Sequence, residues 1–161
     1  MIHTTLNRIR KHSPCQSGWE RLLRHLGKTT ADDEPLPLLT ILNSNGLDDC
    51  LWCLRSVPEH DREWRLFSVW CARQVQHLMT DKRSLDALDV AEKFANGQAT
   101  NEELAAARDV AWDVARAAAR AAAWAAAWGV ARDVARDVAL DVALDVALAS
   151  QEAELRRIIS L

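Results

Sequence analysis

Hydrophobic positions in the first hundred residues recur at helical spacing, and nowhere do they alternate as a strand requires. Cys15, Trp19, Leu22, Leu23 and Leu26 fall at i, i+4, i+7, i+8 and i+11, one face of a helix. Ser13-Pro14 reads as its N-cap with proline at the first helical position, and Gly27 as a left-handed stop. A polar loop from Lys28 to Glu34 leads through Pro35-Leu36-Pro37 to a short apolar helix, Leu38 to Leu42, closed by Asn45-Gly46. Leu47 to Arg55 predicts another short helix, ended by Pro58. Glu59 to Met79 predicts a longer one that buries Trp64, Phe67, Trp70, Cys71 and Leu78. Ser84 to Ala95 follows and stops at Asn96-Gly97.

Thr100-Asn101-Glu102-Glu103 has the form of a capping box, in which hydroxyl and carboxylate each take the other residue's amide. Beyond it the pattern changes. From Arg108 the chain repeats in fours: RDVA, WDVA, RAAA, RAAA, WAAA, WGVA, RDVA, RDVA, LDVA, LDVA. Alanine favours helix throughout, yet a four-residue period does not fit one helical face. At about 100° per residue each tetrad turns its stripe by about 40°, so ten tetrads carry it once around the axis. No single flat neighbour covers such a stripe. The segment therefore either stays one long Ala-rich helix facing several neighbours or folds into a hairpin at Gly129, the one weak point within it. A dimer with close-packed Ala faces is the other way to cover the apolar half.

These patterns predict an all-α protein: stacked helical pairs resembling a short α-solenoid over 1–99, then the tetrad-repeat segment over 100–161. The segment is expected to pack on the first domain or on a second chain. The net charge of −3 supplies no basic excess for nucleic acid. Residues 1–100 carry 13 basic and 13 acidic side chains, and residues 101–161 carry 7 and 10, so neither part is a polybasic arm. The N-terminus lacks the apolar core of a secretory signal. The longest charge-free stretch of the Ala-rich region, Ala121 to Ala131, is 11 residues against the roughly 20 of a membrane span. Four cysteines without a secretory signal point to free thiols in a cytoplasmic protein.

Candidate chemistry is sparse. Gly27-Lys28-Thr29 has the ending of a phosphate loop, but Leu22 stands where the motif needs its first glycine. Cys50-Leu51-Trp52-Cys53 has metal-ligand spacing, and His12 with Cys15 could complete a zinc site. Both pairs lie on apolar helical segments, which favours buried thiols. His60-Asp61-Arg62-Glu63 and Asp48-Asp49 open helices, where carboxylates complement the dipole. Asp32-Asp33-Glu34 lies in a loop without the alternation of a calcium site. No catalytic residues, metal or cofactor are assigned.

The first positions of the tetrads are different. Arg108, Trp112, Arg116, Arg120, Trp124, Trp128, Arg132 and Arg136 form a ladder in which neighbours four apart can stack. Trp and Arg are also the residues most enriched in binding hot spots. The ladder is the candidate partner-binding surface. In the competing structural reading its tryptophans cover the N-terminal helices and its arginines pair with Asp one turn away, as Asp113 with Arg116 and Asp133 with Arg136.

Several stretches resemble a family of immunity proteins from bacterial and phage genomes. They include Leu6-Asn7-Arg8-Ile9-Arg10, His12-Ser13-Pro14-Cys15, Leu26-Gly27-Lys28-Thr29, Ala31-Asp32-Asp33-Glu34-Pro35-Leu36 and Trp70-Cys71-Ala72-Arg73. The Arg/Trp repeat followed by Leu155-Arg156-Arg157 resembles that family's tail, so the likeness spans nearly the whole chain. It implies an interaction protein that neutralises a toxin or a host defence component by stoichiometric binding. The chain departs from the family at Cys50, where Ala is usual, and in its Val-rich tetrads, which look like a local expansion. The residues leave one alternative: a helical protein that sequesters a nucleotide-like ligand between Arg and Trp.

Overall fold

The computed structural model describes residues 1–79, 81–113 and 133–160. Its elements are helical apart from one pair of two-residue strands, β1 (His3–Thr4) and β2 (Leu36–Pro37). These pair antiparallel, His3 opposite Pro37 and Thr4 opposite Leu36. Two residues are too short to show alternation, which is why the sequence pattern carries no sign of them. The helices are α1 (Leu6–Arg10), α2 (Gln16–Leu26), α3 (Leu38–Asn45), α4 (Leu47–Cys53), α5 (Asp61–Gln74), α6 (Lys82–Ala95), α7 over 101–113 and α8 (Asp133–Ile159). Single 3₁₀ turns follow α4 at Leu54–Ser56 and Pro58–His60, and another follows α5 at Gln76–Leu78.

The chain divides into two compact units, 1–61 with 152–161, and 62–151. The apolar end of α8, which the tetrad pattern hides, belongs with the N-terminal residues: its Leu155, Ile158 and Ile159 are buried.

The first unit is built on a core of Leu6, Ile9, Leu22, Leu38, Ile41, Leu42, Val57, Leu155 and Ile159. Thr5 caps α1, its hydroxyl accepting the amide of Arg8 at 3.1 Å. Gly27 ends α2 in the left-handed conformation, φ 65°, as its position predicts. The start of α2 is a correction. Its N-cap is Cys15, with no side-chain cap bond, while Ser13 takes a left-handed φ of 55° before Pro14. Within the core Thr4 and Ser56 share a hydrogen bond of 2.7 Å, and Ser56 donates onward to the Cys53 carbonyl at 2.7 Å. Ser56 has one proton, so Thr4 is the donor to Ser56.

In the second unit α5 and α6 run antiparallel, and side chains mark the register. Arg62 at the start of α5 donates to Asn96 just beyond the end of α6, at 2.8 Å. Arg73, near the end of α5, bridges Asp89 and Glu92, both at 2.7 Å. Between them the Arg65 guanidinium lies over the Phe94 ring, 4.9 Å from its centroid. Phe67 and Val69 are the buried residues of α5, whereas Trp64, Trp70 and Cys71 are only half-buried. The capping box forms as expected: the Thr100 hydroxyl accepts from the Glu103 amide at 3.1 Å, and the Glu103 carboxylate from the Thr100 amide at 2.7 Å. It fixes the start of α7. The reversal expected near Gly129 lies outside the described residues.

Candidate functional site

The Arg/Trp ladder is described at its beginning. Arg108 and Trp112 sit one turn apart on α7, and both are exposed, Trp112 at 65%. Glu103, Ala106, Ala107 and Val110 of α7 and Ala87, Val90 and Lys93 of α6 line an open groove of about 480 Å³. Among the described residues of α7 the buried one is Leu104, and helical geometry places Arg108 about 40° and Trp112 about 80° around the axis from it. The ladder therefore starts on a flank of its helix, with both side chains exposed. Cation–π stacking available to this first pair is not used. Among the described residues the stacked cations are Arg55 on Trp52 and Arg65 on Phe94, and Arg108 has no ion-pair partner. Arg116, Arg120, Trp124, Trp128 and Arg132 lie outside the described residues, as do the expected pairings of Asp113 with Arg116 and Asp133 with Arg136. Arg136 falls on α8, with its side chain also outside them. Later on α8, Leu144 and Val146 are exposed at 56% and 66%.

A second feature was not legible in the sequence. In the first unit α2, α3 and α4 surround a cleft of about 230 Å³ with Ile9, Leu22 and Ile41 among its apolar walls. Trp19 from α2 and Trp52 from α4 line it, both half-buried. Asp48 and Asp49, in the first turn of α4, add carboxylates. Helices α1 to α4, from two sequence stretches, build it, so no local motif announces it.

The cleft holds its shape through Asn45. Its side-chain amide donates at 2.8 Å both to the Gly18 carbonyl and to Asp49 Oδ2. Gly18 lets the helices approach. A Cβ built there would lie 2.8 Å from Asp49 Oδ2 and 3.1 Å from Cys15 Sγ.

The cysteine spacing does not produce a ligand set. Cys50 and Cys53 are buried, and the Cys50 thiol donates to the Leu38 carbonyl at 3.6 Å. Burial pushes both thiols up to about 12, with the Cys53 and Asp49 charges adding to the effect on Cys50 and Cys53 respectively. His12 and Cys15 are exposed. Among the described residues no three His, Cys, Asp or Glu side chains are grouped to hold a metal ion. Lys28, after the left-handed Gly27, pairs with Asp32 and with Glu34 at 2.6 Å, so its charge is engaged by carboxylates. No described helix is long and apolar enough to cross a membrane.

Compared with protein-family models, with curated proteins and with solved structures, the chain matches none of them.

Proposed function

We propose that this is a non-catalytic interaction protein, of immunity or counter-defence type, that binds a protein partner stoichiometrically. The exposed Arg108–Trp112 flank of α7 begins the contact. The observation that carries the reading is Trp112. Its indole is 65% exposed, one turn from an exposed Arg108 that has no ion-pair partner among the described residues. Trp and Arg are the residues most enriched in binding hot spots. The partner is a toxin or a defence component on the resemblance stated above. A cytoplasmic location fits the free thiols.

The test starts from a photocrosslinking residue at position 112, used in cells to capture the contacting polypeptide. That polypeptide, purified and recombined with the chain, is expected to give a complex of fixed stoichiometry by light scattering. Arg108→Glu with Trp112→Ala should weaken it by about tenfold or more, the scale of hot-spot losses, with helicity unchanged. A complex indifferent to both substitutions places the functional surface elsewhere. Excess absorbance near 260 nm in the purified protein, lost with Trp112→Ala, would replace this reading with nucleotide sequestration.

A further inference from the structure

We propose that the α2–α3–α4 cleft is a receptor for one basic side chain, a lysine or arginine presented by a protein partner. The inference rests on the protein-binding reading above for its occupant, but the cleft is separate from the α7 face and carries its own argument.

The cleft's chemistry is selective. Apolar walls, the half-buried Trp52 among them, suit an aliphatic stem, and the half-buried Trp19 indole, with no cation stacked on it among the described residues, offers an aromatic face for the charged head. The head group would meet Asp48 and Asp49. Elsewhere in the unit Glu59 is paired with Arg8, and Asp32 and Glu34 with Lys28, while Asp33 and Glu20 accept from neutral side chains and line no apolar cleft. Asp48 and Asp49 have no cation within ion-pair distance among the described residues. The dipole of α4 accounts for part of their placement, and Asn45 holds Asp49, but neither neutralises two charges beside an apolar cleft. Arg55 and Arg21 are the nearby cations. Arg55 is turned onto the Trp52 ring, 4.3 Å from its centroid, with Nε on the Trp52 carbonyl at 2.8 Å. Arg21 donates to the Asn45 carbonyl at 3.3 Å. Neither lines the cleft.

Size decides the source of the cation. Pockets for whole small molecules run to about 300–1,000 Å³, and this one, at about 230 Å³, falls below that range. It holds a single side chain, with the rest of its owner outside.

Cys15 supplies the readout. Its exposed thiol stands at the cleft's edge, whereas Cys50 and Cys53 are buried. Alkylation of Cys15 by iodoacetamide, followed by mass spectrometry of the full chain, is measured with blocked alanine peptides carrying one central lysine or arginine. Both peptides should slow Cys15 modification at millimolar concentration, with less protection as salt is raised. The norleucine and citrulline peptides should not. Asp48→Asn and Asp49→Asn should each weaken protection about fivefold, the loss of one charge near 4 Å in a largely aqueous dielectric. The amide introduced by Asp49→Asn still offers Asn45 an oxygen, so the cleft should persist, and an unchanged melting temperature verifies this. Equal protection by charged and neutral peptides, or by the Asp variants and the parent, overturns the proposal. Protection by butylammonium as strong as by the lysine peptide assigns the cleft to a free small cation and overturns the side-chain source. These outcomes need no captured partner, so a failure at Trp112 and a failure at the cleft are separate results.

Discussion

The backbone amide of Ile2 donates to the carbonyl oxygen of Ile159 at 3.0 Å, joining the two ends of the chain. The Ile2 carbonyl in turn accepts from the Leu38 amide at 3.0 Å, at the first residue of α3. One residue thus links the start of α3 to the last turn of α8. The end of the tetrad-repeat helix is structural cement for residues that precede it by more than a hundred positions.

Leu155 follows from that link. It is fully buried in the first unit, on the last turns of α8. Leu155→Ala is expected to cost about 2–5 kcal/mol, the range for removing a buried Leu side chain. That is a large share of a total stability of about 5–15 kcal/mol. Urea unfolding followed by circular dichroism measures it. A loss of less than about 0.5 kcal/mol would mean the helix end is docked loosely.

Gly18→Ala tests the close approach of α2 and α4. In an ordinary helical position Gly to Ala gains about 0.5–1 kcal/mol. Here the new Cβ would fall 2.8 Å from Asp49 Oδ2, so the carboxylate must move and give up the Asn45 amide. Overpacking of about 1–3 kcal/mol outweighs the gain, and the variant should be less stable than the parent. Adding Asp49→Ala removes the obstacle and should restore most of the loss. Thermal melts of the single and double variants decide it, and a Gly18→Ala protein more stable than its parent refutes the close contact.

What the sequence makes legible is what it encodes locally. The Gly27 stop and the Thr100–Glu103 box are complete within a few residues, so spacing alone predicts them. The all-α class follows from the same periodicity. Ile2–Ile159, the strand pair and the α2–α4 cleft need residues far apart, and no short-range pattern announces them. Aromatic burial misleads for a related reason. Trp19, Trp64 and Trp70 occupy the apolar stripe, yet smaller neighbours such as Leu22, Phe67 and Val69 reach the interior while the large rings end half in water.

The Arg8–Glu59 pair sets a pH dependence. Two hydrogen bonds, 2.8 and 2.7 Å, join guanidinium and carboxylate, and the Arg8 bond holds the Glu59 carboxyl down at about 2, against an ordinary 4.5. A depressed folded value means the pair contributes fully above pH 4.5, and its contribution is lost as pH falls toward 2. The side chains are 35% and 50% exposed, so solvent screening limits the effect to about 1 kcal/mol or less. Glu59→Gln should therefore melt slightly below the parent at pH 7 and converge with it near pH 2. Melts across that range check it, and parallel curves would show the pair to be energetically silent.

Thiol reactivity separates the four cysteines. Nucleophilic attack needs the thiolate. With Cys50 and Cys53 near 12, about one thiol in ten thousand is ionised at pH 8, and burial blocks the reagent as well. Cys15 is exposed and Cys71 is half-buried. A thiol-specific chromogenic disulfide should therefore react with Cys15 first and Cys71 more slowly. Cys50 and Cys53 should react only as the first unit opens. Under native conditions their rate should track stability, rising in Leu155→Ala, whose side chain shares their core, while the Cys15 rate stays constant. Urea should bring all four to one rate. If Cys50 or Cys53 reacts as fast as Cys15 in the folded parent, the CxxC pair faces solvent and its thiols become available for metal or redox chemistry. If Leu155→Ala leaves both buried rates unchanged, the end of α8 does not guard them, and their opening follows a route independent of the Ile2–Ile159 link.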